Sequence, residues 1–195
     1  MASFIYRHPI LYKLMLRAIH RRSLYSRYRF VSKAIGRNKR VFELGCGTAF
    51  LHGFLHRGCR YTGWDLNKRF VEHCRGRGID AMEKDIFDFK DYPENDVTVV
   101  CDVLHHVFPK DIKLIDNAMK KTKKMVIIEP YHSKPRIPEA VLNRLEFLDE
   151  DGVNNDKTRY MWNLGRFREL LEHFRTGFSV STRQFGVDMI AVLSP

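Results

Sequence analysis

No aspartate or glutamate occurs within positions 1–40, although that stretch carries eleven lysines and arginines. No apolar run approaches the roughly 20 residues that a membrane-spanning helix requires. The most apolar N-terminal stretch, Ile10 to Ile19, is broken by Lys13 and Arg17, and no small-residue cleavage site follows it. A secretory signal is therefore not expected. No Cys-x-x-Cys pair is present: Cys46, Cys59, Cys74 and Cys101 are scattered singly. That spacing argues against a disulfide framework and against a zinc site, and suits small buried side chains in a reducing interior. Internal repeats and Pro- or Ser-rich linkers are missing too, which speaks against solenoids and tethered modules.

What remains is the composition of one globular domain. The chain has 195 residues, 44% of them hydrophobic and 29% charged. A chain of that length buries about 70% of its unfolded surface. Eleven of the 34 cations fall within positions 1–40, and the other 23 balance the 23 acidic residues. The whole excess of +11 thus sits at the N-terminus. An anionic partner (nucleic acid, a lipid surface or an acidic substrate) fits such asymmetry, as does a merely solvated helical face.

The basic segment reads as two amphipathic helices. Pro9 suits a first helical position, followed at helical spacing by Ile10, Leu11, Leu14, Met15, Ala18 and Ile19. Ser23 is a candidate cap for a second helix, with Leu24, Tyr28, Val31 and Ile35 on one face and Gly36 ending it. From Arg40 short apolar runs alternate with helical stretches. Strands are expected at Arg40–Leu44, Arg60–Trp64, Asp80–Glu83, Val97–Cys101 and Lys124–Glu129, with helices at Phe50–Arg57, Lys68–Arg75 and Lys110–Lys121. Val- and Ile-rich strands alternating with helices predict a parallel sheet covered on both faces. Leu164–Phe174 reads as a closing helix. Gly177–Phe185 and Val187–Leu193, separated only by Gly186, read as an antiparallel pair. The expected fold is α/β: a doubly wound, mostly parallel sheet. It divides into a basic helical cap (1–38), a cofactor-binding half (39–129), an acceptor-side excursion (130–163) and a closing helix and hairpin (164–195).

The densest local signal is Val41-Phe42-Glu43-Leu44-Gly45-Cys46-Gly47-Thr48-Ala49-Phe50. A buried strand runs into a glycine turn that is expected to open a helix, where free backbone N–H groups can meet a ligand. A dinucleotide fingerprint wants Gly or Ala where Phe50 stands, so a nicotinamide dehydrogenase is disfavoured. Glu43, inside the strand, is unwelcome near a pyrophosphate. It suits a cationic ligand, the loop amides, or an ion pair with a neighbouring arginine.

This stretch resembles motif I of the class I S-adenosylmethionine-dependent methyltransferases. Further landmarks follow in order over about residues 40–130: Tyr61-Thr62-Gly63-Trp64-Asp65, then Lys84-Asp85-Ile86, then Cys101-Asp102-Val103-Leu104-His105-His106-Val107, then Met125–Pro130. Ala49 stands where many members carry a third glycine. The resemblance implies a seven-stranded sheet of order 3-2-1-4-5-7-6 with its last strand antiparallel. It also implies S-adenosylmethionine as cofactor and S-adenosylhomocysteine as product; no metal is expected, since neither a cysteine zinc pattern nor a calcium-loop spacing is present. Asp65, at the end of the second of these strands, would accept the ribose hydroxyls. Asp85 would take the adenine amino group. Glu43, Gly45, Cys46, Gly47, Thr48, Leu66, Ile86 and Asp102 complete the implied cofactor set. Plain structural roles stand beside these: Asp65 as a helix cap, Asp85 as a turn residue, His105 and His106 as packing residues.

Methyl transfer to a hydroxyl or protonated amine needs a base, and histidine suits neutral pH. His105, His106 and His132 are the candidates, with Tyr131 and Glu129 placed to orient an acceptor. No Asn/Asp-Pro-Pro-Tyr/Phe or Pro-Cys follows the fourth strand, and Glu129 breaks the ribose-hydroxyl set of Lys-Asp-Lys-Glu. By resemblance the exit is most like that of enzymes acting on small-molecule or lipid-like O or N acceptors. RNA is the alternative acceptor, since Tyr25, Tyr28 and Phe30 are interleaved with Arg27 and Arg29, an arrangement that suits stacking on bases but equally suits packing of the helices onto the sheet. A cofactor-binding module without turnover is the alternative class, and DNA is not expected. The basic arm points to an anionic membrane surface or RNA, and the expected location is cytoplasmic or peripheral to a membrane. The acidic cluster Glu146, Asp149, Glu150, Asp151 and Asp156 reads as a solvated loop.

Overall fold

The computed structural model describes residues 7–20, 23–130, 163–186 and 188–195. Two helices come first, α1 (Pro9–His20) and α2 (Ser23–Ile35). Then follow β1 (Arg40–Leu44), β2 (Arg60–Asp65), α3 (Lys68–Arg75), β3 (Ala81–Glu83), β4 (Val97–Cys101), the short α4 (Leu104–Val107), α5 (Asp111–Met119) and β5 (Met125–Pro130). The described chain closes with α6 (Leu164–Arg175), β6 (Ser179–Phe185) and β7 (Asp188–Ser194).

All seven strands form one sheet of order β3-β2-β1-β4-β5-β7-β6. β1 pairs in parallel with β2 and β4, β2 with β3, and β4 with β5. Only β7 runs the other way, antiparallel to both β5 and β6. The central strands lie buried on both faces, which is why they read as unbroken apolar runs. Along each, successive side chains enter opposite layers. Phe42, Leu44, Val100, Met125 and Ile127 join Leu114, Ile115, Phe167 and Leu170 of α5 and α6 on one face. Val41, Val99, Val126 and Ile128 join Leu24, Val31 and Ile35 of α2 and Val71 and Cys74 of α3 on the other.

Strands and most helices lie within a residue or two of their expected bounds. Phe50–Arg57 is the exception: only a 3-10 turn, Leu51–Phe54, forms there. Ala49 takes a left-handed φ of 51° just before it, Gly53 weakens any helix through it, and the Ser32 hydroxyl captures the Phe54 carbonyl at 2.6 Å. The glycine turn therefore opens no α-helix. Gly36 ends α2 as expected, at φ 88°. In α1 the packing face differs from the apolar one. Leu16 is buried and Tyr12 packs on Phe70, while Ile10, Leu11 and Leu14 are exposed. Tyr28, open between base stacking and packing in the sequence, is buried between Phe50 and Phe54. Tyr25 lies against the same two rings, and Phe30 against Phe185. These aromatics pack the helices onto the sheet.

Candidate active site

The carboxyl ends of β1, β2, β4 and β5 converge on one edge of the sheet, where open α/β sheets place their ligands. Gly45 ends β1 at φ 66°, and a Cβ there would lie 2.5 Å from a Val103 methyl. Glycine is needed at this position both for its dihedral and for the close approach of the β4 exit. Gly47, at φ 54°, has the Tyr12 ring 3.5 Å from where its Cβ would be. Tyr12 thus covers the turn from above. Burial, together with the nearby Asp102 and Asp65 carboxylates, pushes its hydroxyl pKa well up.

Asp65 ends β2 and organises the turn. Its Oδ2 accepts the Gly47 N–H at 2.7 Å and its Oδ1 the Asn67 N–H at 2.7 Å. Asp65 does not cap α3. Asn67 does, its Oδ1 accepting from Arg69 and Phe70. Beside Asp65 the Leu66 side chain is exposed, as is Met82 on β3. Asp85 caps its own turn, Oδ1 accepting from Phe87 N at 2.8 Å, and Ile86 behind it is buried. Cys46 is buried against Gly63. Thr48 is buried in the turn, and its hydroxyl oxygen has no hydrogen-bond partner. Glu43 faces the α2 layer beneath the turn and accepts from the Tyr61 hydroxyl. Burial pushes it up to about 8, so it carries its proton at neutral pH.

Asp102, at the β4 exit, takes a left-handed φ of 56°. Arg27 grips its carboxylate with two bonds, Nη2–Oδ2 at 2.7 Å and Nη1–Oδ1 at 3.1 Å, and reaches Asp188 Oδ1 at 3.1 Å. Arg27 is fully buried. Burial disfavours its charge, but the two carboxylates outweigh that and raise its pKa. Its Nε has no partner.

The fourth and fifth strands meet through Glu129, which is fully buried. Its Oε1 accepts Val103 N at 2.8 Å and Leu104 N at 2.7 Å, while Oε2 lies 2.6 Å from His105 Nδ1. Burial, then the Asp102 charge, drives Glu129 well above the usual carboxyl range, against the pull of the Leu104, Val103 and His105 amides. The His106 ring tilts against His105 with centroids 4.0 Å apart. The expected candidates Tyr131 and His132 lie outside the described residues. Among the described residues no three His, Cys, Asp or Glu side chains are grouped to hold a metal ion.

Three positions at this edge escaped the sequence reading: Tyr12, Arg27 and Asp188. Arg27 left a signal, since it stands among Leu24, Tyr28 and Val31 on the buried stripe of α2. Tyr12 sits off the apolar face of α1, and Asp188 is 161 residues from Arg27; neither announces its partner.

Residues 41–125 match a family described as Methyltransferase domain. Trans-aconitate 2-methyltransferase of Mycobacterium tuberculosis is 37% identical over 84 residues, 41% of this chain but 32% of that protein. Its namesake from Mycobacterium marinum is 36% identical over 74 residues, 36% of this chain and 28% of the relative. The chain thus spans about a third of the curated relatives it matches. Human N-acetylserotonin methyltransferase in complex with SAM superposes with a TM-score of 0.62 at 20% identity, covering 97% of this chain and 57% of that one. Magnesium protoporphyrin IX methyltransferase from Synechocystis with bound SAH gives 0.63 at 17%, covering 92% and 84%. These structures share the fold. The glycine turn held by Asp65, the exposed Leu66 and Met82 beside it and the unpartnered Thr48 hydroxyl fit a nucleoside ligand at this edge. Over residues 41–125 the chain is thus similar to a methyltransferase domain, set within a sheet that shares the fold of the SAM- and SAH-bound methyltransferase structures.

Proposed function

We propose that the protein transfers a methyl group to a hydroxyl oxygen of a small acceptor, with His105 as the base. When bound, S-adenosylmethionine supplies a methyl group on a positively charged sulfur, a leaving group that is already activated. Gly45, Gly47 and Asp65 hold its ribose and methionine portions, Leu66, Asp85 and Ile86 its adenine, and Asp102 its amino-acid end. Glu129 fixes the ring of His105 through Nδ1, and Nε2 takes the acceptor proton as the new bond forms. His106, Tyr131 and His132 orient the acceptor.

The observation that carries this reading is the 2.6 Å contact between Glu129 and His105. A buried acid that also accepts two backbone N–H groups cannot swing away, so it holds one orientation of the imidazole. A carboxylate acceptor such as trans-aconitate arrives already ionised at neutral pH and has no need of a base. The names of the curated relatives favour that second reading.

Transfer of radiolabelled methyl to a panel of phenols, alcohols and trans-aconitate separates the two. A hydroxyl acceptor is expected, with His105→Gln lowering kcat/KM by about 10²–10⁴ while affinity for S-adenosylhomocysteine holds. Trans-aconitate as the preferred acceptor, unaffected by His105→Gln, would replace the first reading with the second. Absence of any methylated product contradicts both.

A further inference from the structure

We propose that the outward face of α1 docks the protein on an anionic lipid bilayer, the helix lying in the plane of the interface. Ile10 is 70% exposed, Leu14 53% and Leu11 37%. At 3.6 residues per turn, Ile10, Leu14, Ala18 and Leu11 occupy one contiguous arc, and Ala18 too is exposed. The opposite side holds Tyr12, on the glycine turn and against Phe70, and the buried Leu16. Arg17 is exposed beside the apolar arc and exposed Arg7 precedes the helix, whereas Lys13, half-buried, turns its ammonium to His73 at 2.9 Å. Single exposed aliphatics are ordinary on a soluble surface, but an unbroken aliphatic arc beside cations is the pattern of interfacial helices.

Charge selects the occupant. Positions 1–40 carry eleven cations and no acidic side chain, so a second copy of the same face would meet like charge. A nucleic acid would want exposed rings to stack on. Tyr28 is instead buried, Phe30 packs on Phe185, and Tyr25, the one of the three that is exposed (41%), lies against Phe50 and Phe54, while what α1 exposes is aliphatic. Aliphatic side chains beside arginines match acyl chains beneath anionic headgroups. Among the described residues no helix is long and apolar enough to cross a membrane, so attachment is lateral. Because the same helix seats Tyr12 on Gly47, docking also fixes the element that covers the cofactor turn. This inference stands whether or not His105 is the base.

The test is co-sedimentation of the full chain with vesicles of phosphatidylcholine alone and with one part phosphatidylglycerol in four. Binding is expected to the anionic vesicles, weakening at high salt. Ile10→Ser with Leu14→Ser is expected to weaken it by at least about tenfold, with circular dichroism and S-adenosylhomocysteine affinity as for the wild type. Arg7→Ser with Arg17→Ser is expected to remove most of the salt dependence. A chain that ignores anionic vesicles overturns the proposal. So does a double-serine variant that binds them like the wild type, or a wild-type dimer in sedimentation velocity that this variant disperses.

Discussion

Arg27 of α2 and Asp102 at the exit of β4 form a two-bond ion pair at 2.7 and 3.1 Å, 75 residues apart in the chain. The pair ties the basic N-terminal segment to the ligand edge of the sheet, and Asp188 of β7 closes it from the other side. Asp102 holds a left-handed backbone there, a conformation that costs roughly 1–2 kcal/mol for a residue with a Cβ and persists because the guanidinium anchors it. Removing one member of such a buried group leaves the other charges uncompensated. Arg27→Met should therefore destabilise the protein by about 3–5 kcal/mol in urea denaturation. Arg27→Met combined with Asp102→Asn and Asp188→Asn should recover part of that loss. An Arg27→Met variant as stable as wild type would show that the pair is energetically idle.

Gly45 makes a second, sharper case. Its φ of 66° and the Val103 methyl 2.5 Å from any Cβ act together. Gly45→Ala should lower stability by at least about 1–2 kcal/mol from the dihedral alone and weaken S-adenosylhomocysteine binding. Adding Val103→Ala should relieve the clash and restore only part of each loss. Thermal denaturation and calorimetry of the two variants check this.

Glu43 gives a pH signature. Its carboxyl ordinarily titrates near 4.5 and is held up to about 8 by burial. Between those values the folded chain keeps a proton that the unfolded chain releases. This group's contribution to stability is thus fully present below about 4.5 and is lost as pH rises through 8, by up to about 1.4 kcal/mol per pH unit. Glu43→Gln should flatten that part of the stability profile between pH 5 and 8. Parallel profiles for wild type and variant would show that Glu43 is ionised in the fold.

The sheet was legible because Val97–Cys101 and Met125–Pro130 are buried on both faces and so read as continuous apolar runs. The site's backbone was legible too, since Gly45, Gly47 and Asp65 sit at spacings that strand ends impose. What the sequence hid depended on tertiary choice. Phe50–Arg57 has helical periodicity, yet the Ser32 hydroxyl and the left-handed Ala49 stop it after a short turn. The apolar face of α1 is visible from spacing, but not that Tyr12 and Leu16 would be the residues turned inward. Glu129 could be placed at a strand end, whereas its three contacts to Val103, Leu104 and His105 follow from the β4–β5 register.

His105 and Glu129 supply a prediction about roles. If Glu129 orients the ring, Glu129→Gln should lower kcat more than it raises KM and should shift the pH profile of kcat, with the acceptor KM near that of wild type. An unchanged pH profile together with a raised KM would make Glu129 a packing residue. Steady-state kinetics across pH, with the acceptor found in the methyl-transfer panel, decide the matter.

The site itself is tested most directly by calorimetric titration of S-adenosylhomocysteine into the wild type and into Asp65→Ala. Asp65 both holds the glycine turn through Gly47 and ends β2 beside the exposed Leu66. Binding in the micromolar range, weakened at least about tenfold (about 1.4 kcal/mol) by the substitution in a chain that keeps its circular dichroism, is the expected result. A wild type that does not bind, or an Asp65→Ala variant that binds equally well, would contradict the assignment of this edge of the sheet as the cofactor site.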